Sequence, residues 1–112
     1  ADVAGVCFTV NPVTNNPNQI VIESAPGLGE KVVSGTVTPD FYCIDKTRGS
    51  ILEKTAPMNS LTEAQVDTVL NTAMRIEEAF KSPQDIEWAF VGETLFILQT
   101  RPITTYQIRI KN

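Results

Sequence analysis

The chain has 112 residues, a net charge of −4 and no histidine. That length suits one modest domain and not two. A hydrophobic share of 42% against 20% charged residues argues for a folded chain, and the acidic balance argues against a nucleic-acid partner. Without histidine there is no Ser-His-Asp triad, no Cys-His pair, no usual zinc site and no phosphohistidine on this chain. Any chemistry must use carboxylates, amides, Lys, Arg and backbone. No apolar run approaches the roughly 20 residues that span a bilayer, and the start does not resemble a signal peptide. Membrane and nucleic acid are therefore not expected partners. The chain begins at Ala1 and enters a strand-like run almost at once, which suggests a piece of a longer protein.

Residues 3–10 (VAGVCFTV) read as a buried strand. Asn11-Pro12 to Pro17-Asn18 is a loop by composition. Residues 19–24 (QIVIES) form a second short strand, followed by a glycine-punctuated turn at residues 25–30 (APGLGE). Residues 40–46 (DFYCIDK) are a third strand, and residues 50–54 a fourth after the turn at Thr47-Arg48-Gly49. Cys7 and Cys43 each sit in an apolar run with no CxxC spacing. They read as small buried hydrophobes, and a reducing compartment, the cytoplasm, is expected.

Residues 62–81 are the clearest helix. Ser60 with Glu63 fits a capping box, and Val66, Val69, Leu70, Ala73, Ile76 and Phe80 line one face. Ser82-Pro83 stops it. Strands in a run with one long helix inserted late predict an α+β fold, a mostly antiparallel sheet covered by that helix.

The segment QDIEWAFVGETLFILQTRP then reads as a β-hairpin. Side chains alternate faces along a strand. Ile86, Trp88 and Phe90 share one face, and Asp85, Glu87 and Ala89 share the other. In the second strand Phe96 and Leu98 share a face, with Gln99 and Arg101 opposite. Cross-strand partners lie on one face, so the polar faces coincide only in one register. A three-residue connection, Gly92-Glu93-Thr94, gives it, with Val91 opposite Leu95, Glu87 opposite Gln99 and Asp85 opposite Arg101. Phe96 and Leu98 then join the core.

This patch suits Mg²⁺ with phosphate. Mg²⁺ takes oxygen ligands, commonly one or two carboxylates with substrate phosphates, and Arg101 offers a planar donor fork. The alternative is a solvated face with an Asp–Arg surface pair worth under about 1 kcal/mol. From spacing alone the solvated face is the commoner arrangement.

PQDIEWAF…LFILQTRPIT resembles the end of the ATP-binding domain of phosphoenolpyruvate synthases, pyruvate phosphate dikinases and the related rifampicin phosphotransferases. GVCFTVNPVT is similar to the family's opening of the same lobe, and IVIESAPGLGEKVVSGTVTPDFYCIDK to its GLGE…VSG…TPD segment. The three stretches occur in order over about residues 4–104. The resemblance implies an ATP-grasp fold, with the whole chain, residues 1–112, as its second, C-terminal lobe. It implies that Asp85 and Glu87 lie at the ATP–Mg²⁺ site, with Glu87 and Gln99 holding the metal. Gln99 and Arg101 would meet the phosphates, and Glu30 would lie near the nucleoside. Gly27 and Gly29 also read as a tight turn needing positive φ.

The parent so implied is an ATP-dependent phosphotransferase of the phosphoenolpyruvate synthase type. It would convert ATP, pyruvate and water to phosphoenolpyruvate, AMP and phosphate through a phosphohistidine in another domain. A rifampicin phosphotransferase is the neighbouring alternative, and a non-catalytic α+β interaction module the alternative from another class. The first lobe and the phosphohistidine domain would be partners within the parent chain. The fragment alone is expected to be inactive, because phosphoryl transfer depends on clamping phosphates from both lobes.

Overall fold

The structure is a computed structural model that describes residues 2–27 and 38–103. Its elements are β1 (Val3–Phe8), β2 (Gln19–Pro26), β3 (Asp40–Asp45), β4 (Ile51–Thr55), α1 (Glu63–Phe80), β5 (Gln84–Val91) and β6 (Thr94–Pro102). The strands form one sheet in the order β4-β3-β2-β1-β5-β6. Every neighbouring pair is antiparallel.

The two faces of the sheet differ. One carries Val3, Cys7, Ile20, Ile22, Tyr42, Ile44, Ile86, Trp88 and Phe90, which form the core with Leu61 and the Val66, Val69, Leu70 and Ala73 stripe of α1. Trp88 and Phe90 meet edge to face at 5.8 Å between centroids, a favoured aromatic geometry. Gly5 on β1 faces the same way and leaves room for Trp88. A Cβ there would lie 2.7 Å from the Trp88 ring and 1.9 Å from the Glu23 carbonyl oxygen.

The expectation of a sheet covered by one long helix is overturned. Six strands spaced about 4.8 Å apart make a sheet roughly 24 Å wide. A helix with its side chains is only about 10–12 Å across. Helix α1 therefore covers the middle of one face, while β4 is exposed along its length and β6 nearly so. Among the described residues no helix or strand lies on the opposite face. Phe80, assigned to the buried stripe from sequence, is 58% exposed, because the helix runs past the apolar surface there.

The N-cap also differs from expectation. Thr62, not Ser60, caps α1: its hydroxyl accepts from Gln65 N at 3.1 Å, and the Gln65 side chain accepts from Thr62 N at 2.9 Å. Ser60 is held instead by Asp40. That fully buried carboxylate accepts from Met58 N at 2.8 Å, Ser60 N at 2.7 Å and Ser60 Oγ at 2.5 Å. Asp40 thus pins the turn that delivers the chain from β4 to α1. Cys7 and Cys43 are free and buried, on opposite faces of the sheet, and burial pushes both thiols up from their ordinary range. Among the described residues no helix is long and apolar enough to cross a membrane.

Candidate functional site

The polar end of the β5–β6 hairpin has the pairing expected from sequence. Asp85 is opposite Arg101, and Glu87 opposite Gln99. The means differ. Val91 pairs with Thr94, so the connection is the two-residue turn Gly92-Glu93, not the expected three-residue turn. Gly92 has φ +59° and Glu93 has no positive φ, the signature of a type II′ hairpin turn with glycine first. The Asp2 carboxylate accepts from Gly92 N at 2.6 Å and fixes the turn.

A two-residue turn sets the opposite parity near the tip, where Trp88 pairs with Ile97 and Ala89 with Phe96. The register then shifts between Glu87 and Trp88, with Leu98 as the extra residue on β6. This bulge restores the parity that puts Gln99 and Arg101 beside the carboxylates. The expectation that Phe96 and Leu98 enter the core is therefore wrong. Phe96 shares a face with Ala89 and is 49% exposed, Leu98 is 63% exposed, and Leu95 is the β6 residue that packs on the core.

The base of the hairpin is locked by Gln84, which is buried. Its backbone N donates to Thr9 Oγ1 at 2.7 Å, its Nε2 donates to Ser82 Oγ at 2.8 Å, and its Oε1 accepts from Thr100 Oγ1 at 2.8 Å. Ile103 N donates to Pro83 O at 3.0 Å. These bonds bracket Asp85 and Arg101, so their backbone positions are set by a satisfied buried amide.

Asp85, Glu87, Gln99 and Arg101 all face the side of the sheet away from α1. Arg101 Nε donates to Asp85 Oδ2 at 3.4 Å. That weak exposed pair uses one of five guanidinium donors and leaves the outer fork open to a planar anion. Glu87 and Gln99 are exposed and make no side-chain hydrogen bond among the described residues, so their oxygens are free to take a cation. Among the described residues no group of three or more His, Cys, Asp or Glu gathers at one point. Protein oxygens here could supply at most part of a cation's shell, not a closed cage. A cavity of about 470 Å³ opens beside Asp85 and Arg101, walled by Phe8, Pro12, Asn15 and Pro102. Asn15 holds its side of the wall in the left-handed region at φ +63°.

Glu30 lies outside the described residues. Two features of the site were missed from sequence. The loop between β1 and β2 walls the cavity through Pro12 and Asn15. Glu23 on β2 lies on the same face and in the same cross-strand row as Glu87, with Val6 between them. The outward parity of Glu23 within QIVIES was the available signal, but strand order is needed to bring it beside Glu87.

The sequence matches the family described as pyruvate phosphate dikinase, AMP/ATP-binding domain, over residues 1–59 and 53–111. It is 38% identical to the phosphoenolpyruvate synthase of Pyrococcus furiosus over 94% of this chain and 17% of that protein. It is 35% identical to the rifampicin phosphotransferase of Bacillus cereus over 93% of this chain and 15% of that protein. It is 37% identical to the prodigiosin synthesizing transferase PigC of Serratia marcescens over 94% of this chain and 15% of that protein. The chain thus spans under one fifth of the length of these curated relatives. With this coverage of the chain, it belongs to the pyruvate phosphate dikinase AMP/ATP-binding domain family.

Proposed function

We propose that this chain is the C-terminal lobe of the ATP-binding domain of a larger phosphotransferase of the phosphoenolpyruvate synthase type. The carrying observation is the pairing of Glu87 with Gln99 and of Asp85 with Arg101 on the face that α1 leaves open. Glu87 and Gln99 would hold Mg²⁺ through a carboxylate and an amide oxygen, the hard donors this ion prefers. Bound Mg²⁺ would supply neutralisation of phosphate charge. Arg101 would turn its outer fork to the phosphates, with Asp85 orienting it through Nε. The cavity walled by Pro12 and Asn15 would take the phosphate end of the nucleotide.

In this reading the first lobe of the parent closes over the same face, and a histidine in another domain accepts the phosphoryl group. Pyruvate is the proposed acceptor after it, with AMP and phosphate released, by analogy with the relatives named phosphoenolpyruvate synthase. Acceptor choice lies outside this lobe, since relatives named for other reactions match it at similar identity. The parent is placed in the reducing cytoplasm, in keeping with two buried free thiols.

The test uses the full-length parent enzyme. Glu87→Gln and Gln99→Ala should each abolish phosphorylation of its histidine from Mg·ATP while leaving the melting temperature unchanged. Wild-type phosphorylation in either variant sinks the assignment.

A further inference from the structure

Glu23 sits where a carboxylate has no structural reason to be. Its row across the open face reads Gln99, Glu87, Val6, Glu23, Phe41. Its cross-strand neighbours are therefore Val6 and Phe41, and its same-face neighbours along β2 are Val21 and Ala25. All four are apolar. Among the described residues Glu23 makes no hydrogen bond and no ion pair. Its carboxyl is pushed up from the usual carboxylate range by burial. A half-buried acid ringed by apolar side chains costs stability and returns none of it through a partner. Such a group, set beside a binding face, marks a functional contact.

The charge pattern of the face says what that contact is. In this row and the adjacent one, Arg101, Asp85, Phe8, Val21, Cys43, Arg101 is the one cation, at the β6 end. Phosphates belong at that end, next to Arg101 and its cavity. Glu23 lies two strand spacings from Glu87, about 10 Å away. A bare carboxylate repels phosphate, so the part of a nucleotide that reaches it must be neutral and must donate hydrogen bonds. Among the described residues its four neighbours offer no further oxygen ligand, so a lone carboxylate is no second metal centre there. Vicinal hydroxyls meet these requirements, and an acidic side chain on a ribose is a general solution to the same problem.

We propose that Glu23 is a further nucleotide contact, accepting hydrogen bonds from the ribose hydroxyls of ATP laid along this row. The proposal rests on the ATP-binding reading above and adds the orientation: phosphates at β5–β6, ribose over β1–β2. It also makes Glu23 the residue that separates ribonucleotides from deoxyribonucleotides.

The experiment measures dissociation constants in the full-length parent enzyme for Mg·ATP, 2′-deoxy-ATP, 3′-deoxy-ATP and the triphosphate of purine riboside. Wild type, Glu23→Ala, Glu23→Gln and Glu87→Gln are compared. Glu23→Ala should weaken ATP about 10- to 100-fold, the size of a lost hydrogen bond to a charged group. At least one deoxy analogue should bind the variant as well as it binds wild type. Glu23→Gln keeps the shape, guards against a folding defect in the alanine variant, and should show a smaller loss of the same pattern. An equal loss for ATP and both deoxy analogues overturns the proposal, as does no loss at all. A loss that disappears with purine riboside triphosphate assigns Glu23 to the base and also overturns it. If Glu87→Gln removes ATP binding while the Glu23 variants bind normally, the inference fails and the ATP-binding reading stands. If neither position matters, both fail.

Discussion

Gly5→Ala is the sharpest single perturbation of this fold. Gly5 occupies the middle of β1, paired with Ser24 on one side and Trp88 on the other. Its backbone φ is ordinary, so alanine pays nothing for conformation. The cost is space. The new Cβ would meet the Glu23 carbonyl oxygen at 1.9 Å and Trp88 Cζ2 at 2.7 Å. The first contact is at least about 1 Å too close, and the atom that must yield is backbone in a central strand, not the end of a flexible side chain. Trp88 is 1% exposed and cannot swing away. Relief therefore needs β1 and β2 to part, which weakens the ladder at the centre of the sheet. Overpacking of a dense core costs about 1–3 kcal/mol, and the backbone clash places this site at the top of that range, about 3 kcal/mol. For a domain of this size that lowers Tm by roughly 12–24 °C. Thermal unfolding followed by circular dichroism reads the shift, and urea unfolding gives the free energy. Gly27→Ala is the control: among the described residues nothing lies within 4 Å of its Cβ position, but φ is +71°. It should lose only about 1–2 kcal/mol, from left-handed backbone strain. If Gly5→Ala unfolds within about 1 kcal/mol of wild type, the tight packing of β1 between Glu23 and Trp88 is wrong.

Asp40→Asn should cost about 3 kcal/mol in urea unfolding, because it replaces an acceptor of three donors with an amide that turns one N–H toward them; a loss below about 1 kcal/mol would show that the turn holds without Asp40. Glu23→Gln should stabilise the nucleotide-free protein at neutral pH. Burial raises the Glu23 carboxyl in the folded state, so its charged form is the one folding penalises. The penalty is absent well below the unfolded value of about 4.3, where both states are protonated, grows as pH rises from there to the raised folded value, and is constant above it. The stability difference between variant and wild type should thus shrink towards zero on acidification. A difference that is flat from pH 3 to pH 8 would show that Glu23 is not held in an apolar setting.

Much of this architecture is legible in the sequence because it rests on short-range pattern. Alternation in QIVIES and DFYCID marks strands, and the period of Val66, Val69, Leu70 and Ala73 marks the helix face. What failed depends on competition between local options. Ser60 and Thr62 can both cap α1, and Asp40, twenty residues away, captures Ser60 and leaves Thr62 to pair with Gln65. Coverage failed for a different reason: the sequence shows how many strands exist, but not that all six join one sheet too wide for one helix.

The hairpin shows how a right conclusion can rest on a wrong step. The requirement that Glu87 meet Gln99 fixed parity at the polar end, and a three-residue turn was the simplest way to satisfy it. The chain uses a two-residue turn and corrects the parity with a bulge at Leu98. Gly92 explains the turn, since its φ of +59° suits the tighter connection. The tip then follows one parity and the site another. Each has its own constraint: Leu95 packs on the core near the tip, whereas Gln99 and Arg101 must face away from it. One regular ladder from a two-residue turn would put Leu98 where Gln99 stands, opposite Glu87, and send Gln99 to the core face. The bulge is therefore the feature through which a core-packed hairpin tip and a polar outer face coexist on the same two strands.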